Sequence, residues 1–341
     1  MPLKIAFHII HLKNKHTFRI AHGARTGVDT FIVSLSDGEF TGLGEATPVP
    51  YYGFSANNLK ELLEKHQNTI ESYDLQDAES FWEFMNPILS TNRFAQCALD
   101  IAAHDLVAKR KGMPLYRTWG LNFGNIPLSN FTVGIDKIPV MLERMKEVDF
   151  PIYKIKLGTS NDIEIIKELR KATNAIFRVD ANCAWSVEET IANAKEFEHL
   201  GVEFIEQPLP HDQIEDMKNV IGKVNLPLMA DESCITESDV EKCDGKYDGV
   251  NIKLAKCGGL TPALRMIQQA KDLGLKTMVG CMTESSVGIS AIAHLLPLLD
   301  YVDMDGSILI SNDPADGVVL DRGKAILPNR NGTGAELKIL G

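Results

Sequence analysis

The sequence predicts an α/β protein. Its main part is a (β/α)8-type barrel in a modified (β/α)7β form, preceded by a smaller α+β capping domain that the C-terminal tail completes. Three observations carry this reading. After position 126, eight short apolar runs follow one another at roughly 25-residue spacing, the length of one strand–helix unit. Three of these runs end in an acid: Asp180 in FRVDAN, Glu206 in FIEQPL and Asp231 in LMADES. No G-x-G-x-x-G follows a strand, which argues against a dinucleotide-binding open sheet.

Residues 1–125 read as strands followed by helices. KIAFHII, TFIVSLS and FTGLGEA have strand character, and Asp37-Gly38 marks a hairpin turn between the second and third. Two segments read as loops: about 20–27, with His22 and Arg25, and about 47–55, with Tyr51, Tyr52 and Phe54. Helical periodicity then takes over, ending with FAQCALDIAAHDLVAKRKG.

From 126 to 310 strands alternate with helices. The strands are NFTVGI, YKIKLG, FRVDAN, FIEQPL, PLMADE, GVNIKL, KTMVGC and YVDMDG. Between them, Ser186 and Glu189 form a capping box and Gly201 stands at the C-terminal cap position. Thr261-Pro262 opens another helix and Gly274 closes it. In that helix Leu264, Ile267 and Ala270 give one apolar face for packing on strands. No long amphipathic helix follows the eighth strand. The tail, 311–341, reads as short strands and turns that pack back on the first domain.

A chain of 341 residues is long enough for a large domain plus a smaller one. A composition of 44% hydrophobic and 24% charged residues is that of a soluble globular protein. The net charge of -11 argues against nucleic acid or an anionic membrane as a main partner. No secretory signal is visible and no apolar run is long enough to span a bilayer, so the expected location is the cytoplasm. Cys97, Cys183, Cys234, Cys243, Cys257 and Cys281 show no C-x-x-C spacing and are expected to be free thiols.

The carboxyl ends of barrel strands are where catalytic groups sit. A carboxylate closing a buried strand is costly unless it is paired or metal-bound. One such acid is equally well an ordinary polar cap. Three converging oxygen ligands suit Mg²⁺, one ion per site. Lys154 and Lys156 end the second strand and Lys253 the sixth, so amines approach the acids from opposite sides. This suits proton removal next to a carboxylate. A divalent cation stabilises the developing enediolate as a Lewis acid. A lysine becomes a usable base when desolvation or nearby cations lower its pKa. Two lysines, one per face, remove the proton on one side and deliver it on the other, inverting the carbon.

K-I-K, V-D-A-N, I-E-Q-P, A-D-E-S and N-I-K-L-x-K-x-G-G, in this order, resemble the enolase superfamily, muconate-lactonizing subgroup. The resemblance covers nearly the whole chain, G-E-A-T-P and A-L-D-I-A-A-H-D-L included. It implies that Asp180, Glu206 and Asp231 bind Mg²⁺, that Lys156 and Lys253 are the acid–base pair, and that Lys154 helps stabilise the enediolate. A structural ion-pair role for Lys154 is the plainer alternative. The resemblance points to Lys253 rather than Lys256, which lies beyond the strand end. No histidine falls in GCMTES, so the Lys/His pairing of the mandelate-racemase subgroup does not fit.

On the eighth strand, Asp303-Met304-Asp305 departs from the generic lactonizing pattern and resembles the dipeptide epimerases, L-Ala-D/L-Glu type, in which it binds the substrate's ammonium. Alternate strand residues point the same way, so both carboxylates can face one cation. The loops IAHGARTG and TPVPYYGF resemble the two that close over the barrel mouth in that family. Arg25 is then a candidate partner for a substrate γ-carboxylate, with a surface role as the alternative. Tyr52, with Tyr51 and Phe54, either lines the substrate pocket or packs the loop on the barrel.

The function implied is a Mg²⁺-dependent dipeptide epimerase. It would invert the α-carbon of the C-terminal residue of L-Ala-D/L-Glu or a related dipeptide, in murein peptide metabolism and peptidoglycan recycling. Alternatives on the same fold are an o-succinylbenzoate synthase, an N-acyl amino acid racemase or a cycloisomerase. Their substrates lack the ammonium that would explain Asp303 and Asp305. A non-enzymatic binding barrel leaves the lysine pair unexplained. The expected partner is a small-molecule dipeptide, not nucleic acid or membrane, and a homo-oligomer is left open.

Overall fold

The first strand runs well past its apolar start. In a computed structural model, which describes residues 2–21 and 23–338, β1 (Lys4–Ile20), β2 (Gly23–Ser36) and β3 (Thr41–Ala46) form an antiparallel sheet in that order. The segment about 20–27 is therefore not an open loop but the tip of a β-hairpin; His22 itself lies outside the described residues. The extension has a physical cause in HLKNKHTFRI, whose side chains alternate loosely between partly buried and exposed, so both faces of a two-stranded ribbon are tolerable. Pairing slips between Lys13↔Gly27 and Phe18↔Arg25, a bulge that twists the arm. Gly27 is required there, because an added Cβ would lie 2.5 Å from the Leu12 carbonyl oxygen.

The second segment, about 47–55, holds a 3₁₀ turn at Pro50–Tyr52. The long helix Arg93–Arg110 lies directly on β3. A Cβ on Gly44 would fall 2.0 Å from the Ala98 carbonyl oxygen, so the G-L-G of this strand is what lets helix and strand backbones touch. The turn after β2 is fixed by Asp37, whose Oδ1 accepts from the backbone of Glu39 and Phe40.

Eight parallel strands follow: β4 (Phe131–Val133), β5 (Ile152–Lys156), β6 (Ile176–Asp180), β7 (Val202–Glu206), β8 (Leu228–Ala230), β9 (Gly249–Lys253), β10 (Lys276–Gly280) and β11 (Tyr301–Asp303). They are hydrogen-bonded in sequence order, and a bridge between Ser129 and Val302 joins the first to the last. The expected barrel is thus present. Ser186 and Glu189 form their capping box on the helix Val187–His199. The fourth connection departs from the helical expectation: Pro210 opens a 3₁₀ stretch, His211–Asn219, kinked at Gln213. After β11, among the described residues, only Gly306–Leu309 is helical, so no long eighth barrel helix is present there, as its absent periodicity suggests.

The tail runs back along the first domain. Ser311 N donates to the Lys13 carbonyl at 2.8 Å, and Thr333 N donates to Asp105 Oδ1 at 2.7 Å. All six cysteines are free thiols. Among the described residues no helix is long and apolar enough to cross a membrane.

Candidate active site

The register of the barrel strands builds the site. Lys156 stands opposite Asp180, and Asp180 opposite Glu206, at the carboxyl ends of β5, β6 and β7. Glu206 pairs with Met229, so Asp231 lies two residues further on, in the turn after β8. The three acids are therefore not in strict register. Even so, one carboxylate oxygen from each lies within 4.8 Å of the others. All three are fully buried.

Such a cluster survives burial because lysines surround it. Lys156 Nζ lies 2.5 Å from Asp180 Oδ2. Lys154 Nζ reaches Glu206 Oε2 at 2.7 Å, Asp303 Oδ2 at 2.8 Å and Asp180 Oδ2 at 3.1 Å. Lys253 Nζ is 2.7 Å from Asp231 Oδ2. β5 and β9 are the second and sixth of eight strands, so Lys156 and Lys253 face each other across the barrel.

The charges shift one another accordingly. Burial pushes the Asp180 carboxyl up, but Lys156 and Lys154 outweigh it and hold it at about 2. Burial likewise acts on Asp231, and Lys253 and Lys256 bring it well below the usual carboxylate range. Glu206 goes the other way: burial and the neighbouring Asp180 raise it to about 7. Burial alone would lower both Lys154 and Lys253. Asp303 and Glu206 outweigh it for Lys154, and Asp231 for Lys253, leaving both well above the usual lysine range.

The cluster also carries surplus acceptors. Asn182 Oδ1, Glu206 Oε2, Glu232 Oε2 and Asn251 Oδ1 are buried without a hydrogen-bond partner among the described residues, although Glu206 Oε2 has the Lys154 ammonium beside it. Every one of these atoms is an acceptor. Oxygen-only donors around three converging carboxylates fit a hard divalent cation such as Mg²⁺.

Asp303 and Asp305 are both buried and both line the same cavity as the lysines. Strand alternation is not what orients them, because β11 ends at Asp303 and Asp305 begins a turn, with φ -88° and ψ 4°. The neighbouring strand across the barrel seam, β4 with the residue before it, holds them instead. Asn130 Nδ2 donates to Asp303 Oδ1 at 2.7 Å and Thr132 N donates to Asp305 Oδ2 at 2.6 Å. Burial and the charge of Asp303 push Asp305 up to about 7, while Lys154 outweighs burial at Asp303 and lowers it.

These groups open into a cavity of about 520 Å³ roofed by the first domain. Phe18, Ile20 and Val28 of the hairpin and Val49, Tyr51 and Tyr52 of the 3₁₀ turn form its apolar wall. Arg25 lines it too, half-buried, with its guanidinium in no ion pair among the described residues. Tyr52 also packs its ring 5.7 Å from that of Phe94, so it both lines the cavity and secures the turn. Phe54 packs on Phe94 as well, at 5.4 Å, and is not among the lining residues.

Lys256 lies beyond the strand end, yet it is not idle. Fully buried, its Nζ donates to Asp231 Oδ1 at 2.6 Å, to the Asp231 carbonyl at 2.5 Å and to the Cys234 carbonyl at 3.0 Å. The second lysine of N-I-K-L-x-K was the available signal. Asn130 and Thr132 carried no sequence signal of their own, because their roles depend on neighbours distant in the chain. Asn182 and Glu232 lie inside V-D-A-N and A-D-E-S, but the reading of those motifs stopped at their first acids.

Residues 4–120 match the N-terminal domain of the mandelate racemase and muconate lactonizing enzymes, and residues 140–339 match the enolase C-terminal domain-like family. The L-Ala-D/L-amino acid epimerase of a Maribacter species is 55% identical, covering 96% of this chain and 97% of that protein. The enzyme of the same name from Flavobacterium johnsoniae is 51% identical, covering 98% and 100%. Among solved structures, the dipeptide epimerase of Cytophaga hutchinsonii, complexed with Mg and the dipeptide D-Ala-L-Val, superposes with a TM-score of 0.94. It is 29% identical and covers 100% of this chain and 97% of that one. The chain belongs to the enolase superfamily, in its mandelate racemase and muconate lactonizing group. It is an isomerase of the epimerase kind.

Proposed function

We propose that this protein is a Mg²⁺-dependent epimerase of dipeptides, acting on the α-carbon of the C-terminal residue of L-Ala-D/L-Glu or a related dipeptide. One observation carries the reading: two lysines on opposite strands flank three converging acids, with a separate carboxylate pair facing the same cavity.

Asp180, Glu206 and Asp231 would hold the metal. Bound there, Mg²⁺ would supply positive charge against the acids and act as a Lewis acid for the substrate carboxylate. Lys156 and Lys253 stand on opposite faces of the α-carbon. One takes the α-proton as a neutral amine while the other, as ammonium, returns a proton to the far face, which inverts the centre. Lys154 places a third positive charge by the developing enediolate. Asp303 and Asp305 receive the N-terminal ammonium, as charge-assisted hydrogen bonds to a cation favour. Arg25, in no ion pair among the described residues, offers its guanidinium to an acidic C-terminal side chain, and Tyr52 shapes the wall beside it.

In this reading residues 1–125 form the cap, 126–310 the barrel and 311–341 the segment that packs back on the cap. A dipeptide with an N-terminal alanine and an acidic C-terminal residue is a fragment of murein, so we place the enzyme in peptidoglycan recycling in the cytoplasm. The test is incubation of L-Ala-L-Glu and a set of other dipeptides with enzyme and Mg²⁺ in D₂O. Deuterium at the C-terminal α-carbon with loss of configuration is expected. Its absence from every dipeptide would sink the proposal.

A further inference from the structure

Two of the acceptors beside the acid cluster have no assigned use: Asn182 Oδ1 and Glu232 Oε2. Their residues are only 4% and 9% exposed, and both line the cavity at the barrel mouth. Their one mutual contact is long, Asn182 Nδ2 to Glu232 Oε1 at 3.4 Å. A buried acceptor left unmade costs about 1–3 kcal/mol, so two side by side call for a donor.

Each acceptor is geared to one acid of the cluster. Asn182 N donates to Asp180 Oδ1 at 2.9 Å, and Glu232 directly follows Asp231. Asn182 and Cys183 both lie in the left-handed region, with φ of 44° and 66°. Backbone of that kind costs about 1–3 kcal/mol per residue and persists where the surroundings demand it. Here it turns the Asn182 side chain into the cavity.

The substrate's groups leave this pair largely unclaimed. The ammonium goes to Asp303 and Asp305 on β11, and a carboxylate brings no donor. Water on a divalent cation is a strong donor, and Mg²⁺ gives up its water reluctantly.

We infer that Asn182 and Glu232 are positioning residues for the metal, accepting hydrogen bonds from water that Mg²⁺ retains at Asp180, Glu206 and Asp231. This rests on the metal site proposed above and adds its outer shell. The pair strengthens binding of an ion that stays partly hydrated and slows the exchange of its water.

The test uses the full chain and two measurements: Mg²⁺ affinity by titration calorimetry, and water-proton relaxation with Mn²⁺ as the bound probe. Asn182→Gly removes the side chain while suiting the left-handed backbone. Glu232→Leu removes both oxygens, and Glu232→Gln keeps an acceptor without the charge. Asn182→Gly and Glu232→Leu are expected to weaken Mg²⁺ binding 10- to 100-fold, the range for outer-shell partners, and to speed water exchange on Mn²⁺. Glu232→Gln should recover most of the loss in both measurements. Thermal melts check that each variant is folded, and Asn182→Asp replaces any glycine variant that is not; it keeps an acceptor and should bind Mg²⁺ at least as tightly as the parent. Parent-like affinity and relaxation in Asn182→Gly and Glu232→Leu would overturn the inference, even if KM rose, since the donor would then be the substrate. A parent protein that binds no Mg²⁺ would instead overturn the metal site itself.

Discussion

Lys154 Nζ lies 2.8 Å from Asp303 Oδ2 and 2.7 Å from Glu206 Oε2, so one buried ammonium ties the strand-eight carboxylates to the three-acid cluster. A substrate ammonium at Asp303 would therefore share that carboxylate with Lys154. Asp303→Asn keeps the shape and removes the charge. A hydrogen bond to a charged group is worth about 1.5–3 kcal/mol, which corresponds to a KM roughly 10- to 100-fold higher. The expected outcome for L-Ala-L-Glu is that rise in KM with kcat changed less than about tenfold, read from steady-state kinetics. An unchanged KM would remove Asp303 from ammonium recognition and revive the substrates that lack one.

Lys156 and Lys253 make separable predictions because each addresses one face of the α-carbon. Removing one general base costs about 10²- to 10⁴-fold in rate. Lys253→Ala should lose epimerisation by about that factor, yet Lys156 still contacts one epimer. In D₂O this variant is expected to exchange the α-proton of one epimer without inverting it, and Lys156→Ala to exchange only the other. Proton NMR of each epimer reads the result. Equal exchange of both epimers in either variant would mean that a single base serves both faces.

Much of the site was legible because its chemical groups stand at, or within two residues of, the carboxyl ends of barrel strands. Asp180, Glu206 and Lys253 are the last residues of β6, β7 and β9, and a buried acid or amine there has few structural excuses. The partners that orient them were not legible. Asn130 reaches Asp303 from 173 residues away, and only the closing of β4 on β11 brings the two together. Lys256 was read as displaced because it lies past the strand, whereas the turn Leu254–Cys257 folds it back beneath Asp231. In the cap, the arm of β1 was missed for a different reason. Its strand character comes from pairing with β2, and a largely polar ribbon with one face exposed and the other only partly buried has little hydrophobic pattern to read.

Metal removal and the Lys256 contact can be told apart by stability. Each acid of the cluster already has a lysine partner, so chelation should leave the fold intact and cooperative. Mg²⁺ at 100 times its Kd should add about 2.7 kcal/mol, seen as a higher midpoint in urea melts followed by circular dichroism. Lys256→Met differs, since it takes the buried ammonium from Asp231 Oδ1 and from the Cys234 carbonyl, while Lys253 still holds Oδ2 and Cys234 N still donates to the Asp231 carbonyl. Breaking a buried ion pair from one side costs about 3–5 kcal/mol. That loss should appear with or without Mg²⁺. A Lys256→Met protein as stable as its parent would show that the contact is dispensable.

His294 links stability to pH at the joint of cap, barrel and tail. It is buried at the end of the helix Ser286–Ala293. Its Nδ1 accepts from Tyr116 N at 3.2 Å, and its Nε2 faces the Thr333 carbonyl at 3.1 Å, so the neutral Nε2–H ring satisfies both neighbours. Burial pushes its pKa down to about 4 from 6.5. A base with a depressed folded pKa is neutral in the native state while the unfolded chain binds a proton. Stability tied to this group is therefore full above pH 6.5 and falls as pH drops toward 4, by about 1.4 kcal/mol per unit. His294→Gln removes that slope and leaves other titrating groups in place. The stability advantage of the parent over the variant should thus shrink by ~2 kcal/mol between pH 7 and pH 5, measured by urea unfolding at matched ionic strength. Parallel curves for the two proteins across that range would show that His294 does not hold its neutral form in the fold.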